Sequence, residues 1–227
     1  MSARLCVIPA RGGSKRFPRK NLARFDRRPL VARAVDVAAA SRVFQRIVVS
    51  TEDAEIARVA RRAGAEIHRR DPRLATDGAR VVEVCRAVLD DLGTPAAYEA
   101  FCVLLPTSPL RTVIHVRESL RLLERRKADV VMSIVAYPHV PWWALRERKG
   151  YVRLAFGATV LKRRDRLPRL YRHNGVVLWA RTEPFLRRRE FYGARVVPYH
   201  MTPEVSVDVD GPLDLEFAEF LRRRRGA

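Results

Sequence analysis

The chain has 227 residues, of which 48% are hydrophobic, and a formal net charge of +20. This length can build one sizeable core, and apolar residues spread from end to end exclude extensive disorder. No apolar run reaches the roughly 18 residues that span a membrane, and the first residues lack the basic and apolar regions of a signal peptide. We therefore expect a cytoplasmic protein without a membrane partner, with residues 1–227 forming a single domain.

The positive charge comes from 45 lysines and arginines against 25 aspartates and glutamates. Clustered cations neutralise the phosphates of nucleic acids, so this excess raises a nucleic-acid-binding hypothesis. The arginines recur on every predicted helix, however, and no zinc-knuckle, helix-turn-helix or RNA-recognition pattern accompanies them. We interpret most of them as solvated surface and the remainder as favouring small anionic ligands. A non-catalytic nucleic-acid-binding protein stays as an alternative.

The three cysteines, Cys6, Cys85 and Cys102, are far apart in the sequence. Their spacing matches neither a disulfide framework nor a metal-binding motif. We predict buried free thiols.

The first part of the chain alternates strand and helix patterns. Short apolar runs predict strands at Leu5–Pro9, Arg46–Ser50, Ala65–His68, Ala100–Leu105 and Asp129–Val135. Amphipathic periodicity predicts helices at Pro29–Ala40, Asp53–Ala63, Ala79–Leu92 and His115–Arg126. This alternation predicts an α/β fold with a mostly parallel sheet and helices on both faces. Ligands of such sheets bind beyond the carboxyl ends of the strands.

The pattern changes over residues 137–172, which are rich in Pro, Trp and Arg and have weak periodicity. We interpret this segment as an inserted arm that serves as a β-arm, a subunit contact or a lid. Regular patterns return with predicted strands at Gly175–Ala180 and Arg195–Tyr199 and a predicted helix at Leu213–Arg223.

The loop after the first predicted strand is rich in glycine and basic residues. Residues 8–21 read Ile-Pro-Ala-Arg-Gly-Gly-Ser-Lys-Arg-Phe-Pro-Arg-Lys-Asn. Gly12 and Gly13 allow the backbone to approach a phosphate closely, and Arg11 and Lys15 add the charge that suits a triphosphate. The spacing is neither that of a Walker loop nor that of a dinucleotide-binding loop.

A pair of aspartates, Asp208 and Asp210, lies near the end of the chain. In an extended segment, residues two apart point to the same side. Two carboxylates on one side form a hard oxygen site that suits Mg²⁺, with phosphate oxygens as further ligands. We predict a metal site at this pair.

Residues 8–21 resemble the N-terminal motif of the CMP-sialic acid synthetases (acylneuraminate cytidylyltransferases) and their relatives that act on other nonulosonic acids. Six further segments resemble motifs of this family in the family order, at residues 48–53, 70–77, 105–111, 171–175, 191–193 and 206–210. The resemblance implies a nucleotidyltransferase of the glycosyltransferase-A-like fold that transfers CMP from CTP to an acidic acceptor and releases pyrophosphate.

The resemblance also implies site residues. Those around CTP are Ala10, Arg11, Gly12, Gly13, Lys15, Asn21, Arg70, Pro106, Thr107 and Ser108, and those around the acceptor are Leu105, Arg163, Arg164, Asn174, Leu178, Phe191 and Tyr192. Arg11, Lys15 and Asp208 are the implied catalytic residues, and Asp208 and Asp210 are the implied ligands of Mg²⁺. The resemblance further implies that residues 137–172 form a dimerisation arm that completes the neighbouring subunit's site. It therefore predicts a homodimer.

Three positions depart from the family motifs. Leu105 stands where the family has Gln, Leu178 stands where it usually has Tyr, and residues 78–81 lack a common hydroxyl residue. The first two positions face the acceptor in the family, and a site that loses such polar groups discriminates against a substrate that needs them. We expect an acceptor other than ordinary N-acetylneuraminate, most simply another nonulosonic acid. The alternative is CMP transfer to a small phosphonate such as phosphonoformate.

Overall fold

A computed structural model of the chain describes residues 3–93, 97–162, 166–192 and 195–225. The strands in these ranges are β1 (Arg4–Pro9), β2 (Arg24–Phe25), β3 (Arg28–Pro29), β4 (Arg46–Thr51), β5 (Glu66–Arg69), β6 (Ala100–Val103), β7 (Val130–Ala136), β8 (Leu145–Arg148), β9 (Tyr151–Leu154), β10 (Tyr171–Arg181) and β11 (Val196–His200). The helices are α1 (Leu30–Ser41), α2 (Ala54–Arg62), α3 (Val81–Asp91), α4 (Val113–Arg125), α5 (Thr159–Lys162), α6 (Thr182–Arg188) and α7 (Pro212–Arg225).

Seven of these strands form the main sheet, in the order β11-β7-β10-β6-β1-β4-β5. The strands β6, β1, β4 and β5 are mutually parallel, and β11 is parallel to β7. Only β10 runs against its two neighbours in this sheet. The prediction of a mostly parallel sheet is therefore confirmed.

Helices cover both faces of the sheet, as predicted. Alternate residues of β1 point to opposite faces, as the strand period of two requires. Cys6 and Ile8 belong to a core cluster shared with α1, α2 and α4. Leu5 and Val7 belong to a second cluster shared with α3 and α6. A buried central strand of this kind explains why β1 reads as an uninterrupted apolar run.

Local capping explains where α2 begins and ends. The side chain of Asp53 accepts hydrogen bonds from the backbone N–H groups of Glu55 and Ile56, both at 2.8 Å. After the last turn Gly64 adopts a positive φ of 94°, which glycine reaches without steric cost. The predicted helix at Asp53–Ala63 agrees with this helix to within one residue at each end.

The largest difference from the predicted elements is in β10. The predicted strand Gly175–Ala180 covers only the apolar half of Tyr171–Arg181. The first residues of β10 are polar, and the register with β7 shifts between His173 and Leu178. Polar residues and an irregular register hide the strand period in this half.

The segment between β7 and β10 lies outside the main sheet. It contains the hairpin β8–β9 and the short helix α5. Its large apolar side chains are exposed at several positions, including Leu145, Tyr151, Val152, Phe156 and Leu161. Arg163 and Arg164, which the sequence places near the acceptor, lie outside the described residues.

Cys6, Cys85 and Cys102 are free and buried, as predicted. Burial raises the pKa of the Cys6 and Cys85 thiols well above the ordinary value, so both stay protonated. Among the helices in the described ranges, none is long and apolar enough to cross a bilayer.

Trp179 offers a test of how the sheet packs against its helices. Its ring is fully buried, stacks on Phe44 with centroids 5.2 Å apart, and donates from Nε1 to Ser119 Oγ at 3.1 Å. Trp179→Ala should lower the free energy of unfolding by about 3–5 kcal/mol, measured by urea denaturation. Trp179→Phe keeps an aromatic ring against Phe44 and should lose clearly less. Equal losses in the two variants would contradict the packing described.

Candidate active site

The carboxyl ends of β1, β4, β5 and β6 meet at one edge of the sheet, where a cleft of about 250 Å³ opens. Four strands end at this edge, because the carboxyl ends of parallel strands lie on the same side of the sheet. Predicted nucleotide-site residues that line the cleft are Arg11, Asn21, Arg70, Pro106 and Thr107. Lys20, Thr76, Asp77 and Val81 also line it.

The glycine-rich loop is held tightly against the start of α2. The backbone N–H of Gly12 donates to Glu52 Oε1 at 2.7 Å. A Cβ at Gly12 would lie 2.7 Å from Asp53 Oδ2, so no larger residue fits there without movement. The side chain of Asn21, which is buried, donates to the carbonyl of Arg11 at 2.8 Å and fixes the other side of the loop. These contacts give Gly12 a steric role that spacing alone does not reveal.

Two predicted phosphate-binding cations converge on one carboxylate. Arg11 Nη1 and Lys15 Nζ each lie 2.8 Å from an oxygen of Asp77. Lys15 and then Arg11 lower the pKa of Asp77, so this group is an anion at neutral pH. An arrangement that holds one oxyanion between two cations can hold a phosphate in the same way. Asp77 was missed as a site residue, although it belongs to one of the motif segments.

Arg70 is buried beneath the cleft and held by β4. Its Nη2 donates to the carbonyl of Ser50 at 2.7 Å and its Nε donates to Ser50 Oγ at 3.2 Å. Because Ser50 Oγ accepts from Arg70, its own hydrogen is available to His68 Nδ1 at 2.9 Å. His68 Nε2 then faces Asp91 at 2.8 Å. Burial lowers the pKa of Arg70, but an arginine stays charged at neutral pH.

Asp208 and Asp210 lie in the segment that precedes α7, beside Thr107 of the cleft lining. The backbone N–H of Val209, between them, donates to the carbonyl of Thr107 at 2.8 Å. Asp208 Oδ1 is buried and has no hydrogen-bond partner among the described residues. Burial raises the pKa of Asp208, with a further contribution from the charge of Asp210. An orphaned carboxylate oxygen beside a second carboxylate is the kind of group that a cation satisfies, so these residues fit Mg²⁺.

Asp210 pairs with Lys20, which was not among the predicted site residues. Lys20 Nζ lies 2.8 Å from Asp210 Oδ1 and lowers the pKa of that carboxyl. Lys20 lines the cleft and precedes Asn21 in the basic motif, which was the available signal. Within the described ranges no cluster of three or more His, Cys, Asp or Glu side chains is arranged for a metal. Further ligands of a cation at Asp208 and Asp210 would therefore be substrate or water oxygens.

A second cleft, of about 220 Å³, adjoins the first and shares Val81 and Leu105 with it. The predicted acceptor residues Leu105, Leu178, Phe191 and Tyr192 all line this second cleft. Gly175 has a φ of 72°, and a Cβ there would lie 2.9 Å from Leu105 Cδ1. Glycine at 175 therefore makes room for the Leu105 side chain.

Three polar residues of the second cleft were not predicted. Arg80 and Glu190 line it and form an ion pair with each other. His173 also lines it, and burial lowers the pKa of His173, which leaves an uncharged ring at neutral pH. The charge on this side of the site is thus small.

Two predicted site residues lie beneath the clefts. Asn174 is buried; its Oδ1 accepts from Ser133 Oγ at 2.6 Å and its Nδ2 donates to Ser206 Oγ at 2.8 Å. It therefore joins β7 and β10 to the segment that carries Asp208. Ser108 is also buried, and a Cβ at Gly175 would lie 3.4 Å from its Oγ. Contact of either residue with a substrate stays a prediction.

The fold matches that of known nucleotidyltransferases. It superposes on CMP:2-keto-3-deoxy-manno-octonic acid synthetase in complex with CTP with a TM-score of 0.71 and 16% sequence identity. The superposition covers 99% of this chain and 100% of the synthetase chain. The chain therefore has an α/β nucleotidyltransferase-like fold. A sequence profile of the cytidylyltransferase family matches residues 5–132, more than half of the chain. The chain belongs to the cytidylyltransferase family.

Individual relatives are similar along nearly the whole chain. The N-acylneuraminate cytidylyltransferase of Streptococcus agalactiae serotype III (strain NEM316) is 32% identical over 91% of this chain and 50% of its own length. The pseudaminic acid cytidylyltransferase of Campylobacter jejuni is 27% identical over 96% of this chain and 95% of its own length. The chain thus spans about half the length of the first relative and nearly all of the second.

The contact between Gly12 and Asp53 can be tested with the adjacent glycine as its control. Gly12→Ala places a methyl group against the Asp53 side chain and should lower the free energy of unfolding by about 1–3 kcal/mol. Gly13→Ala meets no described atom within 4 Å and should leave it nearly unchanged. Urea denaturation of both variants measures the difference. Equal effects would show that the loop does not press against α2.

Proposed function

We propose that this protein transfers CMP from CTP to a nonulosonic acid and releases pyrophosphate. The observation that carries the proposal is the pair of adjoining clefts at the carboxyl edge of the sheet. One cleft has a basic loop and two nearby aspartates, and the other is lined by residues at the predicted acceptor positions. Two relatives, named N-acylneuraminate cytidylyltransferase and pseudaminic acid cytidylyltransferase, support the same donor and acceptor classes.

The first cleft supplies binding and charge for the triphosphate. Arg11 and Lys15 would exchange Asp77 for phosphate oxygens and stabilise the charge that grows on the leaving pyrophosphate. Arg70, fixed by Ser50, adds positive charge under the cleft. Asp208 and Asp210 would hold Mg²⁺, which when bound supplies charge that polarises the α-phosphate.

The second cleft places the acceptor for in-line attack. Because Val81 and Leu105 belong to both clefts, the acceptor hydroxyl would sit at their junction, next to the α-phosphorus. Its oxygen forms the new bond to phosphorus as the bond to pyrophosphate breaks, and the hydroxyl proton is released to solvent. Most of the rate enhancement would then come from positioning and electrostatics.

The phosphonate alternative fits the second cleft less well. A compact dianion needs several unpaired cations around it. Among the described residues that line this cleft, Arg80 is the one arginine or lysine, and it is already paired with Glu190. A larger acceptor with apolar parts matches the lining better.

We also propose that the protein is a homodimer that associates through residues 137–172. This segment exposes large apolar side chains on the hairpin β8–β9 and around α5. Tyr151 is 75% exposed and Val152 is 64% exposed. Several exposed apolar side chains grouped on one segment are typical of a protein interface.

The proposed metal site predicts a specific loss of activity. Asp208→Asn and Asp210→Asn should each lower kcat/KM for pyrophosphate release by at least about 100-fold, because the developing charge loses its stabilisation. Asp36→Asn is the control, since Asp36 pairs with Arg28 and lines neither cleft. Chelation of divalent cations should abolish activity, and added Mg²⁺ should restore it. Full activity of the double variant would refute the role of the pair.

The enzyme and the nucleic-acid alternatives make opposite predictions. Incubation with CTP and Mg²⁺ should release pyrophosphate with at least one nonulosonic acid in a panel that also includes phosphonoformate. Titration with duplex DNA should show no binding at moderate salt. Release with phosphonoformate alone would favour the phosphonate reaction. A steep, log-linear loss of DNA affinity with salt, together with no release, would favour the nucleic-acid-binding alternative.

The proposed dimer can be dissociated by charge on the hairpin. Tyr151→Glu combined with Val152→Glu should convert the dimer to a monomer in light scattering, because burying two new carboxylates is costly. Leu213→Glu is the control: Leu213 is 76% exposed but lies on α7, outside the arm. A wild-type monomer, or dissociation by the control alone, would contradict this interface.

A further inference from the structure

One wall of the second cleft is a continuous apolar row across three strands. Leu178 of β10 is aligned with Val103 of β6 on one side and with Met132 of β7 on the other. All three side chains are buried on the same face of the sheet and line the cleft. A group that reaches this row therefore meets hydrocarbon.

The side walls continue this apolar character. Leu105 lies over Gly175, whose missing side chain leaves it room. Phe191 packs against Phe185 with ring centroids 4.9 Å apart, and Phe101 adjoins both rings. This aromatic packing holds the Phe191 ring in place, so this side of the cleft stays apolar.

The polar groups at the cleft do not compensate for this lining. Arg80 and Glu190 satisfy each other. His173 contributes an uncharged ring, which can serve one polar group of a ligand. Tyr192 also lines the cleft, but it is 59% exposed and borders solvent. A ligand with hydroxyl groups against the apolar row would leave most of them without partners.

We propose that the second cleft selects a nonulosonic acid whose terminal carbon is a methyl group, in place of the hydroxymethyl group of N-acetylneuraminate. This rests on the proposed function, because the acceptor's reacting end must lie at Val81 and Leu105 for its far end to reach Leu178. A methyl group gains from burial against the apolar row, whereas a hydroxyl group there loses its water without a replacement. Pockets that distinguish such groups reach discrimination of about 100-fold.

The test uses two acceptors that differ by one oxygen atom: N-acetylneuraminate and its analogue with a methyl group at the terminal carbon. The protein should release pyrophosphate from CTP with a kcat/KM about 100-fold higher for the methyl-terminated analogue. Equal values, or a preference for the hydroxylated acceptor, would overturn the inference and leave the proposed function intact. No release with either of these acceptors or with any other nonulosonic acid would instead refute the proposed function.

Variants at Leu178 connect the preference to the apolar row. Leu178→Gln introduces an amide that can bind a hydroxyl group, and the preference should fall at least 10-fold. Leu178→Met keeps the side chain apolar and of similar volume, and the preference should persist. Leu105→Gln places the same amide at the reacting end of the acceptor, where it should change the preference less. If the Leu178→Gln variant keeps the wild-type preference while remaining folded, the row does not set it and the inference is wrong.

Discussion

The hydrogen bond from the Val209 N–H to the Thr107 carbonyl, 2.8 Å long, is the contact on which the site depends. The basic loop comes from the first tenth of the chain, whereas Asp208 and Asp210 come from its last tenth. The hydrogen bond between Asn174 and Ser206 anchors the same segment from below. Together these contacts place two carboxylates beside a cluster of cations, where a triphosphate and a metal ion could meet.

The single antiparallel strand of the main sheet makes the second cleft possible. The neighbours of β10 end at the carboxyl edge, but β10 begins there because it runs in the opposite direction. Its first residues therefore lie at this edge, where His173 and Gly175 line the second cleft, while its later residues, such as Trp179, fill the core. One strand thus supplies both a polar segment at the cleft and a buried segment, and this division explains its mixed sequence pattern.

Local patterns predicted most of the fold, and the motif segments include many of the residues that line the two clefts. Buried parallel strands and amphipathic helices carry their signals within ten or so residues. The contacts that were missed join distant segments: Asp77 with Arg11, Lys20 with Asp210, and Arg80 with Glu190. Their formation depends on which strand ends become neighbours, and strand order is not encoded in any local period. Asn174 shows the same limit, because its buried hydrogen bonds depend on the crossing of three segments.

In the proposed reaction the two clefts divide the chemistry between donor and acceptor. Arg11, Lys20 and Arg70 line the first cleft, and both aspartates lie beside it through the contact of Val209 with Thr107. The second cleft shares only Val81 and Leu105 with it among the described lining residues. Substitution at Leu178 can therefore reshape acceptor binding without moving a phosphate ligand. Leu105 is the exception, since it lines both clefts, so a change there would couple acceptor choice to nucleotide binding. Because its side chain carries no hydrogen-bonding group, Leu105 would contribute only shape to either proposed ligand.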